Sequence, residues 1–188
     1  MEGNVLENSV VKLRAPEPED VDLLYSWENN MEIWKVSNTL TPFSKYLLKK
    51  YIETSHLDIW ESKQLRLIIE AKDQNSLMNV PVGLVDLFDF DPYHLRAGVG
   101  VLIAKNEDRR KGYATEALKV LIRYVFEVLQ LNQLYANVSA SNVISLRLFE
   151  NLGFTKVGVK KDWLKTLNGW EDEVLLQLLN PKPRLPKS

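Results

Sequence analysis

The chain has 188 residues, 45% hydrophobic and 26% charged, a balance that predicts one globular domain rather than a disordered chain. Its 24 basic and 25 acidic residues exclude a nucleic-acid-binding surface driven by excess positive charge, and the lack of Cys with only two His excludes disulfides and thiolate or His-rich metal sites. No apolar stretch reaches the roughly 20 residues of a membrane span and no signal peptide is evident, so we expect a cytoplasmic protein without a membrane partner.

The first half of the chain predicts strands and two helices. Residues 1–9 are expected to form a loose tail. Pro18, followed by carboxylates, predicts the start of a helix that runs through Trp27. A second helix is predicted to open at Thr41-Pro42, because apolar residues then recur at helical spacing. Short apolar segments predict strands at residues 10–14, 65–69 and 81–90.

The second half of the chain alternates strands with helices. Its longest predicted helix covers residues 112 to about 129, where apolar side chains recur every three or four positions. Asn142 is a good N-cap for a further helix, which Gly153 ends. Strands are predicted at residues 97–104, 134–139, 154–159 and 173–179. This order predicts a mixed α/β sheet with helices on both faces, followed by a proline-rich, disordered tail at residues 181–188.

A basic segment with one glycine lies between the strand at residues 97–104 and the longest helix. It is Arg109, Arg110, Lys111, Gly112, Tyr113, Ala114 and Thr115. A glycine at a helix start lets the backbone approach a ligand closely, and the free N–H groups of the first turn favour an anion. Three positive charges add to this preference, as a pyrophosphate would require. A solvated basic turn accounts for the residue types equally well.

Two spaced motifs resemble those of one enzyme superfamily. Arg109-x-x-Gly112-x-Ala114 resembles the acyl-CoA pyrophosphate loop of the GNAT N-acetyltransferases, and Asn142-x-x-Ser145-x-x-Leu148-Phe149-x-x-x-Gly153-Phe154 is similar to their second signature. Residues 11–20 are similar to the opening of the branch that contains bacterial spermidine N-acetyltransferases and ribosomal-protein N-terminal acetylases. The resemblance implies one GNAT domain at residues 10–180, with a mixed sheet of about seven strands and a cofactor cleft between splayed strands.

The resemblance also implies acetyl-CoA as the co-substrate, with no metal. Leu102, Ile103 and Ala104 would end the strand whose backbone bonds the pantetheine arm, and the basic segment from Arg109 to Thr115 would hold the pyrophosphate. Asn142 and Ser145 would face the pantetheine and the thiol, although helix capping accounts for Asn142 as well. The strands that carry Leu102 and Asn137 would diverge to admit the cofactor.

Acetyl transfer needs a neutral amine, donors to the carbonyl oxygen and a proton for the leaving thiolate. Many relatives use a tyrosine for the last step at the place of Phe149, which has no proton to donate. The catalytic residues are therefore unassigned: the general acid stays open between water, Ser145 and Tyr135. Candidate bases are Glu70, Asp86 and Asp89, although ion pairing or exposure to solvent accounts for each of them as well.

The implied function is acetylation of a primary amine, best matched by a small amine of the spermidine or diamine type. The alternatives are a protein N-terminal acetyltransferase acting on a peptide N-terminus and a non-catalytic acyl-CoA-binding module. Polyamine acetyltransferases of the branch carry an acidic stretch after the first helix, but residues 37–41 are neutral here. Other acidic residues could line an entrance: Glu28, Glu32, Asp58 and Glu61. Five tryptophans and an apolar last strand predict a homo-oligomer.

Overall fold

Seven strands and six helices form the regular structure of the residues that the computed structural model describes, 4–37, 40–53, 59–72, 78–166 and 168–182. The strands are β1 (Val11–Arg14), β2 (Leu65–Ala71), β3 (Val80–Asp91), β4 (Arg96–Ile103), β5 (Gln133–Ser139), β6 (Thr155–Thr166) and β7 (Gly169–Leu179). The helices are α1 (Val21–Glu28), α2 (Met31–Ser37), α3 (Lys45–Glu53), α4 (Ile59–Ser62), α5 (Tyr113–Glu127) and α6 (Val143–Asn151).

The seven strands lie in one sheet with the order β1-β2-β3-β4-β5-β7-β6. All neighbours are antiparallel except β4 and β5, which are parallel. These two strands pair at only three positions, the last of which joins Gly98 to Tyr135. Beyond that pair the strands diverge, so the sheet opens into the cleft that the sequence analysis predicts.

Helices cover both faces of the sheet, because alternate side chains of the central strands point to opposite sides. On one face, α5 buries an apolar stripe that includes Leu118, Leu121 and Val125 against the sheet. On the other face, Leu24 of α1 and Leu48 of α3 are buried with side chains of β2 and β3. The predicted fold class, a mixed α/β sheet covered on both sides, is confirmed.

The helical region before β2 differs from the prediction in two respects. α3 begins at Lys45 rather than at Thr41-Pro42, because Ser44 Oγ accepts a hydrogen bond from the Leu47 N–H at 3.1 Å and caps the helix there. α2 and α4 are additional helices that the apolar pattern does not predict. Asp58, one of the acidic residues that could line an entrance, lies outside the described residues. Residues 38–39 of the neutral segment 37–41 lie outside them as well.

Residues 4–9 are held against the domain instead of forming the predicted loose tail. The Leu13 N–H donates to the Leu6 carbonyl at 2.7 Å, and Arg123 of α5 donates to two carbonyls of this segment at 2.7 and 2.9 Å. The prediction missed these contacts because they are hydrogen bonds to the Leu13 backbone and to the distant Arg123 side chain, which no local sequence pattern specifies. The predicted tail beyond Lys182 lies outside the described residues.

The last two strands form a longer hairpin than the apolar pattern predicts. β6 continues to Thr166 and β7 starts at Gly169, whereas the predicted strands end at residue 159 and begin at residue 173. The final β5–β7 pair joins Ser139 to Glu173, so the rest of the hairpin projects beyond the sheet. Both faces of the projecting part are exposed, and it therefore lacks the alternating apolar pattern that marks a half-buried strand.

Candidate functional site

The cleft leaves one edge of β4 without a strand partner. β5 pairs with β4 no further than Gly98, while β4 continues to Ile103. Within the described residues no strand occupies this edge beyond Gly98, so its backbone N–H and C=O groups can bond an extended ligand. Leu102 and Ile103 lie on this open stretch and are half-buried, and Ala104, which follows it, is buried.

The start of α5 faces outward at the carboxyl end of β4. Gly112 is its N-cap and has φ +84°, in the left-handed region that favours glycine. The first hydrogen bond of the α5 helix runs from the Glu116 N–H to the Gly112 carbonyl, at 3.0 Å. The three backbone N–H groups before Glu116 therefore have no acceptor within the helix. They belong to Tyr113, Ala114 and Thr115. A Cβ placed on Gly112 would have no heavy atom within 4 Å, so a ligand can reach these donors.

The basic side chains before α5 are exposed to solvent. Arg109 Nε donates to the Ile103 carbonyl at 3.3 Å, which ties this segment to the end of β4. Lys111 Nζ pairs with Asp108 at 3.0 Å, and this hydrogen bond raises the pKa of Lys111 above its usual value. Arg110 is exposed and has φ +63°. Cations beside a helix N-terminus make this end of the cleft suited to an anion such as a pyrophosphate.

α6 presents a cap on one side and a buried ring on the other. Asn142 Oδ1 accepts a hydrogen bond from the Ser145 N–H at 3.1 Å, so the predicted capping role of Asn142 is confirmed. Phe149 is 4% exposed, and its ring centroid lies 5.1 Å from that of Phe154. Phe149 is therefore part of the core rather than of the surface of the cleft.

Tyr135 lies where β4 and β5 diverge, opposite Gly98. Its hydroxyl donates to Asp89 at 3.2 Å, and its ring meets the edge of Phe88 with 6.0 Å between centroids. Burial, followed by the negative charge of Asp89, raises the pKa of Tyr135 to about 12. The phenol consequently stays protonated at neutral pH and can donate a hydrogen bond in the cleft, but it does not act as a base.

A cavity of about 380 Å³ opens between α3 and the start of β2, where β2 pairs with β3. Its walls are mostly apolar or aromatic: Phe43, Leu47, Leu48, Tyr51, Leu65, Leu87 and Phe88. Of the described residues that line it, Arg66 is the one cation and Asp86 is the one anion. A few charged groups in an apolar cavity of this size are typical of a small-molecule site.

The cavity borders the diverging part of β4. Asp86 and Phe88 of β3 pair in the sheet with Gly100 and Gly98 of β4. A Cβ on Gly98 would overlap the Phe88 ring, whereas a Cβ on Gly100 would come no nearer to it than 3.8 Å. The Phe88 ring therefore covers β4 at Gly98, whereas Gly100 leaves room on this face of β4 beside the ring.

Arg66 joins two carboxylates at the wall of the cavity. Its Nε donates to Asp86 Oδ1 at 2.7 Å and its Nη2 to Asp86 Oδ2 at 3.3 Å, while its Nη1 donates to Glu28 of α1. The guanidinium also lies over the Tyr51 ring, 5.8 Å from its centroid. Burial opposes the charge of Arg66, but the two carboxylates raise its pKa above the usual value, so Arg66 stays a cation.

The three candidate bases fall in different surroundings. Asp86 lines the cavity and is ion-paired with Arg66, and Asp89 accepts the Tyr135 hydroxyl. Glu70 is held by Arg14 Nε at 2.6 Å, in an ion pair that fixes the start of the chain to β2. Glu70 therefore has a structural role, and Asp86 and Asp89 are the carboxylates that the fold brings near the cleft.

Across the residues that the structure describes, no helix has the length and apolarity to cross a membrane. The same residues contain no group of three His, Asp or Glu side chains arranged to hold a metal ion.

Comparison with known families identifies the domain that carries the basic segment. A model of the acetyltransferase (GNAT) domain matches residues 11–155, which is more than half of the chain. The chain belongs to the GNAT acetyltransferase family. The resemblance drawn from the two motifs is thereby confirmed, and GNAT proteins use acetyl-CoA as the acetyl donor.

Relatives of this GNAT protein are named N-acetyltransferases. An uncharacterized N-acetyltransferase, p20, of Bacillus licheniformis is 30% identical over 168 residues, which cover 89% of this chain and 91% of that protein. Spermidine N(1)-acetyltransferase of Escherichia coli is 28% identical over 148 residues, covering 79% of this chain and 74% of the enzyme. The protein is accordingly an acetyl-CoA-dependent N-acetyltransferase.

Solved structures confirm the GNAT fold. Spermidine N-acetyltransferase from Vibrio cholerae, in complex with CoA and spermine, superposes with a TM-score of 0.80 at 23% identity, over 92% of this chain and 97% of that one. A dodecameric structure of spermidine N-acetyltransferase from the same organism gives a TM-score of 0.73, over 92% and 95% of the two chains.

The residues of this GNAT domain fit acetyl-CoA at both ends of the cleft. The unpaired edge of β4 suits an extended amide chain, and the open N-terminus of α5 suits a pyrophosphate. Bound acetyl-CoA supplies an activated acetyl thioester.

The sequence analysis did not single out Arg66 at the cavity. The signal that points to Arg66 is a charged residue inside the apolar segment 65–69.

Proposed function

We propose that this enzyme transfers the acetyl group of acetyl-CoA to a primary amine of a small aliphatic molecule of the diamine or polyamine type. The observation that carries the proposal is the apolar cavity with one lining carboxylate, Asp86, which pairs in the sheet with Gly100 of β4. An aliphatic amine has the matching chemistry, a methylene chain for the apolar walls and an ammonium for the carboxylate. The similarity to spermidine N(1)-acetyltransferase supports the same acceptor class.

The proposed donor site follows the cleft from β4 to α5. The backbone of Leu102 and Ile103 would bond the pantetheine arm, whereas the Ala104 N–H is already given to the Val82 carbonyl at 2.9 Å. The segment from Arg109 to Thr115 would hold the pyrophosphate through its backbone N–H groups. Asn142 and Ser145, at the start of α6, would line the opposite wall. The open space at Gly112 and the unpaired edge of β4 support this arrangement.

One candidate proton donor for the proposed reaction, Tyr135, lies where β4 and β5 diverge. The Tyr135 hydroxyl keeps its proton at neutral pH and donates to Asp89. To donate to the departing thiolate, the hydroxyl would give up its hydrogen bond to Asp89. Ser145 and water are the other donors, because the buried Phe149 side chain has no proton to transfer.

A panel of acceptors tests the proposed function. Purified protein is incubated with acetyl-CoA and, in turn, aliphatic monoamines, diamines, spermidine, spermine and a ribosomal-protein N-terminal peptide, and thiol release is followed. We expect turnover with small amines and none with the peptide, because the cavity of about 380 Å³ suits a small molecule. Turnover of the peptide alone would replace the proposed acceptor by a protein N-terminus, and binding of acetyl-CoA without any turnover would contradict the proposal.

We also propose that the protein is a homo-oligomer. Trp163 and Trp170, on the projecting β6–β7 hairpin, are 59% and 63% exposed, and β6 is an edge strand with the exposed side chain of Val157. Large exposed aromatics beside an open strand edge are typical of an interface. We expect light scattering at micromolar concentration to give a mass above that of one chain, and a monomeric mass would contradict this proposal.

A further inference from the structure

Three charged groups meet at the cavity, and their charges do not cancel. Arg66 bonds Asp86 through two N–H groups and Glu28 through a third, so two carboxylates surround one guanidinium. The side chains of Glu28, Arg66 and Asp86 are 10%, 27% and 29% exposed. Solvent therefore screens them incompletely, and a ligand in the cavity meets a net charge of about one negative unit.

We propose that Arg66 is a specificity-determining residue that limits the acceptor to amines with one positive charge besides the reacting nitrogen. This inference rests on the proposed function, in which the cavity receives the acceptor. An α,ω-diamine has that charge pattern, and its methylene chain suits the walls at Phe43, Leu48 and Phe88. Spermidine and spermine bring two and three further ammonium groups, and those beyond the first meet the guanidinium of Arg66 instead of a carboxylate.

Asp86 can anchor the one distal ammonium although it is already paired. A carboxylate offers about four acceptor positions, and Arg66 uses one on each oxygen of Asp86. The remaining positions lie on a residue that lines the cavity, whereas Glu28 is not among the lining residues. Because Arg66 holds both oxygens, Asp86 is suited to keeping an ammonium in its charged form rather than to removing its proton.

The test measures kcat/KM at saturating acetyl-CoA for pentylamine, the five-carbon α,ω-diamine, spermidine and spermine. We expect the unmodified enzyme to prefer the diamine to spermidine by about tenfold, the effect of one unfavourable charge contact in a partly buried site. Arg66→Gln, which gives the cavity a second net negative charge, should erase that preference by improving spermidine and spermine relative to the diamine. Arg66→Lys keeps the positive charge and should keep the preference.

A double substitution separates charge from packing. Arg66→Gln leaves the buried Glu28 carboxylate without its cation and is expected to lower the thermal stability. Adding Glu28→Gln removes that uncompensated charge and returns the cavity to one net negative charge. The double variant should therefore regain stability but, because it has no guanidinium to face the further ammonium groups, should still lack the diamine preference. Thermal unfolding of each variant confirms that the folded enzyme is being compared.

The possible outcomes distinguish a failure of the inference about Arg66 from a failure of the proposed function. If amines are acetylated but the ranking is the same in the unmodified enzyme, in Arg66→Gln and in the double variant, the role of Arg66 is wrong and the proposed function stands. The same holds if the unmodified enzyme already prefers spermine to the diamine. If none of the amines is acetylated by the folded enzyme, the proposed function fails, and the inference about Arg66 fails with it.

Discussion

Gly112→Val is expected to abolish measurable binding of acetyl-CoA in titration calorimetry. Gly112 caps α5 with φ +84°, and no heavy atom lies within 4 Å of the position that a Cβ would take. The valine would therefore not collide with the protein. Its branched side chain would occupy the open space through which an anion reaches the first-turn amides, and it would strain the cap by about 1–2 kcal/mol.

Gly169→Val is the matched control for that strain. Gly169 has φ +127° and equally open surroundings, but it lies at the turn of the β6–β7 hairpin. This variant should lose a similar amount of stability and bind acetyl-CoA normally. Arg109→Ala should weaken binding only about two- to fivefold, because an exposed charge contributes modestly beside the backbone donors. Unchanged affinity in Gly112→Val would show that the basic segment is only a turn.

Phe149→Ala is expected to lower the free energy of unfolding by roughly 3–5 kcal/mol in a denaturant titration. The ring is 4% exposed and packs edge-on against Phe154, so its removal leaves a cavity in the main core. We expect the shape of the pH–rate profile of the folded Phe149→Ala fraction to be unchanged, since no proton donor is lost.

Two further variants separate packing from catalysis at this position. Phe149→Leu keeps most of the buried volume and should retain the turnover number at saturating acetyl-CoA. Phe149→Tyr restores the side chain that many relatives carry and should change the turnover number only slightly if another group protonates the thiolate, whereas a rise in turnover would show that this role is empty. A selective loss of turnover in stably folded Phe149→Leu would mean that the ring itself positions the thioester, and the prediction would be wrong.

The parts of the fold that the sequence predicts well are those in which one face of an element is buried. α5 and the central strands carry regular apolar spacing, and the cap at Asn142 carries its own chemical signal. The projecting half of the β6–β7 hairpin gives no such signal, since backbone pairing holds it more than burial does. α2 buries Ile33 but is only seven residues long, too short for a repeating apolar pattern. Their extents could not be read from the pattern.

Sequence motifs indicate the proposed donor side of the site but not the proposed acceptor side. Motifs around Gly112 and Asn142 are local in sequence, so their spacing alone carries the resemblance. Arg66 and Asp86 line the proposed acceptor cavity, and Arg66 also pairs with Glu28, so three separate elements contribute to this cluster. Which of several acidic residues meets the one arginine depends on the register of β2 with β3, and no local pattern specifies that register.

The three residue pairs between β4 and β5 make this domain two half-sheets joined by a short seam. Few ladder hydrogen bonds cross that seam, so the halves stay together mainly through the side chains that pack beneath it, among them Val99, Leu134 and Leu121. The two halves of the domain are therefore held together by apolar side chains on the α5 face of the sheet, whereas the two strands are free to separate beyond Gly98. A molecule bound along β4 would take the place of a neighbouring strand, and the domain would be stiffer whenever that molecule is bound.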